Sequence, residues 1–597
     1  MNCRFSLHLM WLTLPLLAAC QATTTTPSNK LVVAVRVPNE TDDNPLGSPA
    51  AKYIGLIADG WGTLANSVYT VQPYVSNSQV QVPSVSFGSG QIRVEVYDGN
   101  NLGATTTIAR GASVPVNVSA SSAPRTVFPY VTKINHFSNI YFEPGNDTKL
   151  TLPPLDSTAS PDDPAGKPVP HVATALATLP SGFVLMTGGA VPKTGAKNPY
   201  DPASYSAFKS TVQIYNPDLR TLTAVSDPPA QLATARAFHS MAVGQTVVAI
   251  VGGVELDENG KPHASNKIEF YNMTTGEITS APTSEPNLKF ARIAPTVVQM
   301  FDRQDYFLVL GGKGNEDCPA SPDLGQCAGN TWEIWHPTGG RQPLDGQMKA
   351  ARWHHGGVRV PGPDGGYVML VGGENSNGPL QTMEVVQFLV HQNQVMVSNS
   401  QLACPADCPK NPDKPDDPIN SFLYQPLDPA LREPRIWPGV LFVAHPSTTP
   451  SEAYYHVYMA GGFSKQDHTQ VSKTVDIFDI QSSAYLNSSE PSPQMAQGRA
   501  SPILAAVTTG PSAGEVLLAG GSTGDSAHLK SSEFLRIDAS GGLHGVIAPV
   551  DGLLPDGDRT LGAAIGLNTG HVLILGGTGG TVNGLTPRTD VLLWNPY

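Results

Sequence analysis

The sequence predicts an all-β protein, and three observations support that prediction. Seven Gly-Gly pairs each close a short apolar run in the last two thirds of the 597-residue chain. In the first third, apolar and polar residues alternate between turn residues, and no stretch shows a convincing helical period. Units repeated at a regular spacing stack in order to bury faces that one unit alone leaves exposed. We therefore expect a seven-bladed β-propeller that follows a small β-sandwich.

The Gly-Gly pairs fix the repeat. Their first glycines are 64, 59, 61, 89, 59 and 56 residues apart, so five of the six steps are near sixty and one step contains an insertion. Glycine suits a strand end that lies close to a neighbouring blade and then leaves the sheet at backbone angles costly for other residues. The first glycines are Gly188, Gly252, Gly311, Gly372, Gly461, Gly520 and Gly576.

Residues 1–19 have the features of an export signal. Arg4 precedes an apolar stretch from Leu7 to Leu17, and Leu17-Ala18-Ala19-Cys20 follows. This segment resembles a bacterial lipoprotein signal peptide, which implies cleavage before Cys20, lipidation of that thiol and, with Gln21 next, delivery to an outer membrane. The alternative is an ordinary secretory signal that is cut near Ala19. Residues 20–29 are expected to be a polar tether.

The net charge and the hydropathy of the chain argue against two kinds of partner, nucleic acids and a membrane-spanning environment. The formal net charge is −13, which argues against nucleic-acid binding because a basic face supplies most of that affinity. After the signal, no stretch approaches eighteen uninterrupted apolar residues. The expected membrane contact is therefore the lipid anchor alone, in the bacterial cell envelope.

Four cysteines remain after Cys3 and Cys20, namely Cys318, Cys327, Cys404 and Cys408. In an exported chain such close pairs favour two disulfides, Cys318 with Cys327 and Cys404 with Cys408. A zinc site with four thiolates is the alternative, but the wide spacing of the first pair is unusual for it. We expect no metal and no cofactor.

Residues 30–132 predict the β-sandwich, from alternating runs such as Leu31 to Val37 and Gln91 to Tyr97. This region resembles the Ig-like modules of surface proteins, which implies a spacer. Residues 133–167 are expected to be a linker that contains a ring-closing strand. The last repeat unit stops after three strands, and Lys149 to Leu152 is the predicted fourth strand that closes the ring.

Residues 168–597 predict the propeller, with four strands in each unit. The strand-ending Gly-Gly, an aromatic residue near the end of the third strand (Tyr215, Tyr271, Trp594) and an arginine before the next first strand resemble kelch repeats over residues 144–597. The usual Trp near the fourth strand is missing, and the spacing exceeds the usual fifty or so residues.

Six arginines stand at or just before the first strands, and a histidine follows two of them after three residues. The kelch resemblance implies that these side chains surround the mouth of the central channel, where they would be ligand-binding candidates. The alternative is that each guanidinium holds carbonyl groups between blades. The first unit has no such arginine, and His171 is aligned there with the two histidines. The candidates are Arg236, Arg292, Arg352, Arg435, Arg499, Arg559, His239 and His355.

Two classes of function follow. Long segments after the Gly-Gly pairs, such as Ala190 to Ser210 and Lys313 to Asn330, predict a loop-rich face that binds a glycan, peptide or protein. The kelch resemblance also allows an enzyme acting on sugars, either a mutarotase or a copper radical oxidase. We expect no catalytic residues, and Gly520-Gly521-Ser522-Thr523-Gly524 is not a nucleophile elbow because no helix pattern follows it.

Overall fold

A computed structural model describes residues 31–38, 42–60, 68–74, 88–99, 106–119, 125–140, 171–225, 230–282, 286–302, 304–316, 318, 326–362, 365–391, 394–399, 410–411, 414–418, 430–445, 454–486, 492–538, 544–550, 553–555, 557–581 and 584–596. Within them almost all regular structure is β, with 3-10 turns at Pro45–Gly47, Pro202–Ser204 and Ala328–Asn330. No helix in this part of the chain is long and apolar enough to cross a membrane.

The N-terminal region is a β-sandwich. One sheet has six strands, and a parallel pair formed by Leu31–Val33 and Arg125–Val127 packs against it. Leu31, Ile54, Val94 and Val127 meet in the shared core, because alternate residues of each strand point to the same side. The strands of the larger sheet are Tyr53–Asp59, Val68–Pro73, Gly88–Tyr97, Thr107–Ala112, Val116–Val118 and Thr132–Lys133.

In the part of the chain that the structure describes, seven four-stranded antiparallel sheets follow, and we call them blades 1 to 7 in chain order. The first strand of each blade contacts the first strand of the next, and that of blade 7 contacts blade 1. The predicted β-propeller class is therefore confirmed. The strands are Ala175–Thr178, Val184–Thr187, Val212–Asn216 and Thr221–Ala224 in blade 1; Ser240–Val243, Val247–Val251, Ile268–Asn272 and Ile278–Ser280 in blade 2; Thr296–Phe301, Gln304–Leu310, Thr331–His336 and Gly340–Gln347 in blade 3; Gly356–Gly362, Gly365–Val371, Met383–His391 and Gln394–Asn399 in blade 4; Gly439–His445, Tyr454–Ala460, Val475–Asp479 and Ala484–Tyr485 in blade 5; Ile503–Ala506, Val516–Ala519, Ser532–Asp538 and His544–Pro549 in blade 6; and Ala563–Gly566, Val572–Leu575, Val591–Asn595 and His136–Asn139 in blade 7.

The strand that completes blade 7 is not the predicted one. His136–Asn139 pairs with Val591–Asn595 and takes the fourth position. Phe137 is buried there against Phe534 and Trp594, which supplies apolar contact in addition to the ladder hydrogen bonds. Lys149 to Leu152 lies outside the described residues, and the place predicted for it is already filled.

The Gly-Gly pairs tie neighbouring blades together. All fourteen glycines have positive φ, which other residues adopt only at a cost. The second glycine donates its N–H to a carbonyl of the following blade, as Gly253 does to Arg292 at 2.8 Å. A Cβ on Gly252 would collide with that same Arg292 carbonyl. The predicted close approach is confirmed.

The Gly-Gly pairs also define the two faces of the ring. We call the face that carries them, with the segments joining second to third strands, the loop face, and the opposite one the turn face. Among the described residues, the loop-face segments of five blades form a further hairpin. These hairpins are Ala190–Pro192 with Tyr205–Phe208, Val254–Leu256 with Pro262–Ala264, Glu374–Asn375 with Gly378–Pro379, Ser522–Gly524 with Ala527–His528, and Thr578–Thr581 with Gly584–Pro587; Lys410–Asn411 also pairs with Lys414–Pro418.

Candidate functional site at the channel mouth

The six predicted arginines are buried rather than presented to solvent. Each has a relative exposure of 0 or 1%. Arg292 is representative, because its guanidinium donates to the carbonyl oxygens of Gly311 at 2.9 Å and Thr331 at 3.2 Å and pairs with Glu333 at 3.1 Å. Burial lowers the pKa of Arg292, and the Glu333 carboxylate opposes that shift.

The other five arginines make related contacts within their own blades. Arg352, Arg435 and Arg499 each donate to the first glycine of the pair and to a third-strand acid, Glu384, Asp476 and Glu533 respectively. Arg236 does the same with Glu269, and Arg559 pairs with Asp590. The expectation of ligand-facing guanidinium groups is not met, since all six groups are buried and bonded to protein. Nε of Arg435 and Arg499, and both Nε and Nη1 of Arg559, have no hydrogen-bond partner among the described residues. The structural alternative fits, except that the side-chain bonds lie within a blade, not between blades.

The two predicted histidines are also interior groups. His239 Nε2 lies 2.7 Å from Thr187 Oγ1 of blade 1, and His355 Nε2 lies 3.0 Å from Thr296 Oγ1 of blade 3. Burial lowers the pKa of each to about 3, so both are neutral at neutral pH. They join adjacent blades and do not face a ligand.

His171 has a different register from the one predicted. Val172 bridges Ala190 as Ala237 bridges Val254, so His171 is equivalent to Arg236 and not to His239. Its Nδ1 lies 2.7 Å from the Gly188 carbonyl, where it replaces the arginine donor.

The channel mouth is bordered by one left-handed residue from each blade. These residues come two positions after the arginine or His171, and backbone hydrogen bonds link several neighbours, such as Trp437 N–H to the His354 carbonyl at 2.8 Å. Because all seven blades share this conformation, it belongs to the architecture, and side-chain identity distinguishes the positions. The residues are Ala173, Phe238, Ala294, His354, Trp437, Ser501 and Leu561.

Tyr200 lies over this mouth. It belongs to the loop-face segment of blade 1, yet its ring packs against Trp437 and Phe463 of blade 5 at centroid distances of 5.6 and 5.4 Å. The segment is anchored where the Leu585 N–H of blade 7 donates to Ala196 and the Tyr205 hydroxyl donates to Pro199. A blade 1 side chain therefore reaches across the channel axis.

Five rings form what we call the mouth cluster, namely Tyr200, His354, Trp437, Phe463 and His468. His354 stacks on Trp437 at 4.4 Å, and His468 stacks on Phe463 at 4.2 Å. The indole Nε1 of Trp437 is buried and has no hydrogen-bond partner in the described part of the chain. A ligand or an ordered water could accept a hydrogen bond from this unpaired N–H group.

Both imidazoles of the mouth cluster are oriented by carboxylates. His354 Nδ1 lies 2.8 Å from Glu374 Oε1, and His468 Nδ1 lies 2.7 Å from Asp525 Oδ1. Burial lowers the pKa of His354 although Glu374 opposes the shift, so a neutral ring donates from Nδ1. Neither Nε2 has a partner among the described residues. A carboxylate that fixes the tautomer leaves the other nitrogen as a directed acceptor.

Lys313 adds an exposed cation to the polar groups around the mouth cluster, which we call the rim. It follows the Gly-Gly pair of blade 3, and its positive charge contributes to lowering the pKa of His354. Its ammonium has no partner in the described ranges. Sequence reasoning missed Lys313, Tyr200, His354, Trp437 and His468, because no local pattern marks residues that meet only when the ring closes.

The Cys318–Cys327 disulfide is confirmed, with Cα atoms 5.5 Å apart. It closes the loop-face segment of blade 3 beside Trp353 and Ala351. Cys20, Cys404 and Cys408 lie outside the described residues. Among those described, no group of three or more His, Cys, Asp or Glu side chains is placed to hold a metal ion.

Comparison with known proteins gives distant structural likenesses only. No protein-family model matches the chain, and no curated protein sequence matches it. Solved structures that resemble it include YjhT, at 12% identity with 64% of this chain and 98% of that one covered and a TM-score of 0.37. A fungal alcohol oxidase in complex with copper matches at 13% identity, with 72% and 75% covered and a TM-score of 0.43. Likenesses this distant carry no information about ligand or reaction.

Proposed function

We propose that this protein is a lipid-anchored envelope protein that binds a glycan, peptide or protein partner through its loop face. The observation that supports binding is the mouth cluster. Its rim combines an exposed Lys313, two oriented imidazoles and the half-exposed Asp525, while Tyr200 fills the centre. Such a surface offers polar contacts to a ligand that lies across it, without a deep cavity on the channel axis.

A glycan array and a pull-down with the purified chain test this proposal. Lys313→Ala and His468→Gln should each weaken the captured ligand several-fold, because each removes a hydrogen-bonding group from the rim. Lys261→Ala is the matched control, since Lys261 is an exposed lysine of the blade 2 hairpin on the same face. Absence of any ligand, or equal loss in all three variants, would contradict binding at the mouth.

The anchoring part of the proposal depends on Cys20. Only a thiol at that position takes the diacylglycerol, so palmitate labelling should disappear in Cys20→Ala. Labelling that persists in this variant would mean that the lipid is attached at another residue, and absence of labelling from the native protein would remove the proposed anchor altogether.

A second candidate is an enzyme that moves protons on sugars, and the two carboxylate-oriented imidazoles favour it. His354 and His468 each present an unbonded Nε2, which suits general acid–base chemistry. Exchange between sugar anomers, followed by NMR, should then be faster with the native protein than with His354→Gln or His468→Gln. A copper radical oxidase gains no such support, because both cysteines of the described chain form a disulfide and neither can crosslink to a tyrosine.

A further inference from the structure

The β-sandwich is fastened to the turn face of the propeller. Asn595, at the end of the third strand of blade 7, donates from Nδ2 to the carbonyls of Arg110 at 2.9 Å and Thr132 at 2.8 Å. Thr132 Oγ1 also lies 3.3 Å from Nε2 of His571, where the second strand begins. Second strands start and third strands end on the turn face, so the sandwich meets the side opposite the mouth cluster.

Blade 1 makes further contacts with the sandwich. The guanidinium of Arg220, in the turn between its third and fourth strands, lies 4.9 Å from the Tyr130 ring centroid. Tyr130 is itself buried in a core shared with Val184 of blade 1 and Leu573 of blade 7. Contacts from blades 1 and 7 together hold the sandwich in a fixed direction.

The first strand of the sandwich runs towards the propeller. Leu31 is in register with Arg125, and Arg36 is in register with Tyr130, the residue packed on the blades. Five residues of strand cover roughly 17 Å. The chain therefore enters the sandwich at the end remote from the propeller.

The direction of the first sandwich strand and the attachment to the turn face place the N-terminal end of the sandwich and the loop face of the propeller at opposite ends of the protein. We infer that the sandwich stands between the membrane and the turn face, so that the loop face points away from the bilayer. This rests on the proposed anchor at Cys20, which lies eleven positions before Leu31, a span of at most about 40 Å. The partner of the mouth cluster is then a macromolecule located beyond the membrane surface, and not a lipid headgroup of the anchoring leaflet.

Energy transfer to a labelled bilayer tests the orientation. The mature chain is joined chemically at its N-terminus to a lipid in vesicles that carry an acceptor dye on the headgroups. A donor dye is placed through an azide-bearing amino acid at one exposed position, Val32 in the sandwich, Thr274 on the turn face or Glu258 on the loop face. Transfer should be strongest from Val32, intermediate from Thr274 and several-fold weaker from Glu258.

Transfer from Glu258 equal to or above that from Val32 would overturn the inference. Because the lipid is attached chemically, this result does not depend on whether cells modify Cys20. Loss of the proposed anchor is instead reported by palmitate labelling, so the two failures are distinguishable. Binding of the unlipidated chain to vesicles through its loop face would likewise contradict a partner beyond the membrane.

Discussion

Blade 1 and blades 2 to 6 make the same tie with different chemistry. In blades 2 to 6 a buried guanidinium joins the first glycine carbonyl to a third-strand carboxylate, as Arg292 does with Glu333. In blade 1 the neutral ring of His171 serves the same carbonyl, and Gln213 stands where the acid would be. Blade 1 therefore lacks both the guanidinium and the third-strand carboxylate, although the positive charge of the buried Lys209 contributes to lowering the pKa of His171.

The backbone tie between blades is nevertheless the same in both. Gly577 donates its N–H to the His171 carbonyl at 3.0 Å, as Gly253 donates to Arg292 at 2.8 Å. In blades 1 to 6 the first glycine carbonyl accepts a side-chain hydrogen bond, and the neutral donor of blade 1 shows that this donor need not carry a positive charge. A charge brought there must be compensated, because an uncompensated buried ion costs several kcal/mol.

Removing the charge from one member of a pair should have the largest effect. Arg292→Met leaves Glu333 buried without its partner and should lower the free energy of unfolding by about 3–5 kcal/mol. Arg292→Met with Glu333→Gln should recover part of that loss, measured by urea unfolding. If the double variant is no more stable than the single one, the buried carboxylate is not the cause.

Acid should test the neutral histidine donor of blade 1. Burial lowers the pKa of His171 to about 4, whereas the unfolded histidine titrates near its ordinary pKa of about 6.5. Between these pH values the unfolded state binds more protons, so stability falls as the pH falls, by up to about 3 kcal/mol from this group. In His171→Gln, urea unfolding at pH 7 and pH 4.5 should show a smaller difference, although His239 and His355 still contribute. An unchanged difference would mean that His171 titrates normally.

Converting blade 1 to the chemistry of its neighbours should have the smallest net effect. His171→Arg alone places a cation near the buried Lys209, and Gln213→Glu alone buries a carboxylate, so each should destabilise. Together they should show a favourable coupling of about 1–3 kcal/mol in a double-mutant cycle. Simple additivity would show that blade 1 cannot accept the pair.

The sequence was informative where a property is local. The Gly-Gly pairs encode a backbone conformation, and the Arg spacing repeats with them, so the blades could be predicted. The register of His171 could not be predicted, because the sequence suggested an alignment with His239 and His355. The bridge between Val172 and Ala190 instead aligns His171 with the arginines. Tyr200 and Trp437 come together only through the closed ring, and their contact has no signature in either segment.

The strand His136–Asn139 determines when the propeller ring can close during synthesis of the chain. It is synthesised before every other strand of the propeller, whereas its partner strand Val591–Asn595 follows all the other described strands in the chain. The seventh blade therefore cannot be completed until residues 591–595 have been synthesised, and the open assembly keeps an unpaired edge until then. A chain that stalls short of residue 591 leaves the ring without the strand that joins its two ends.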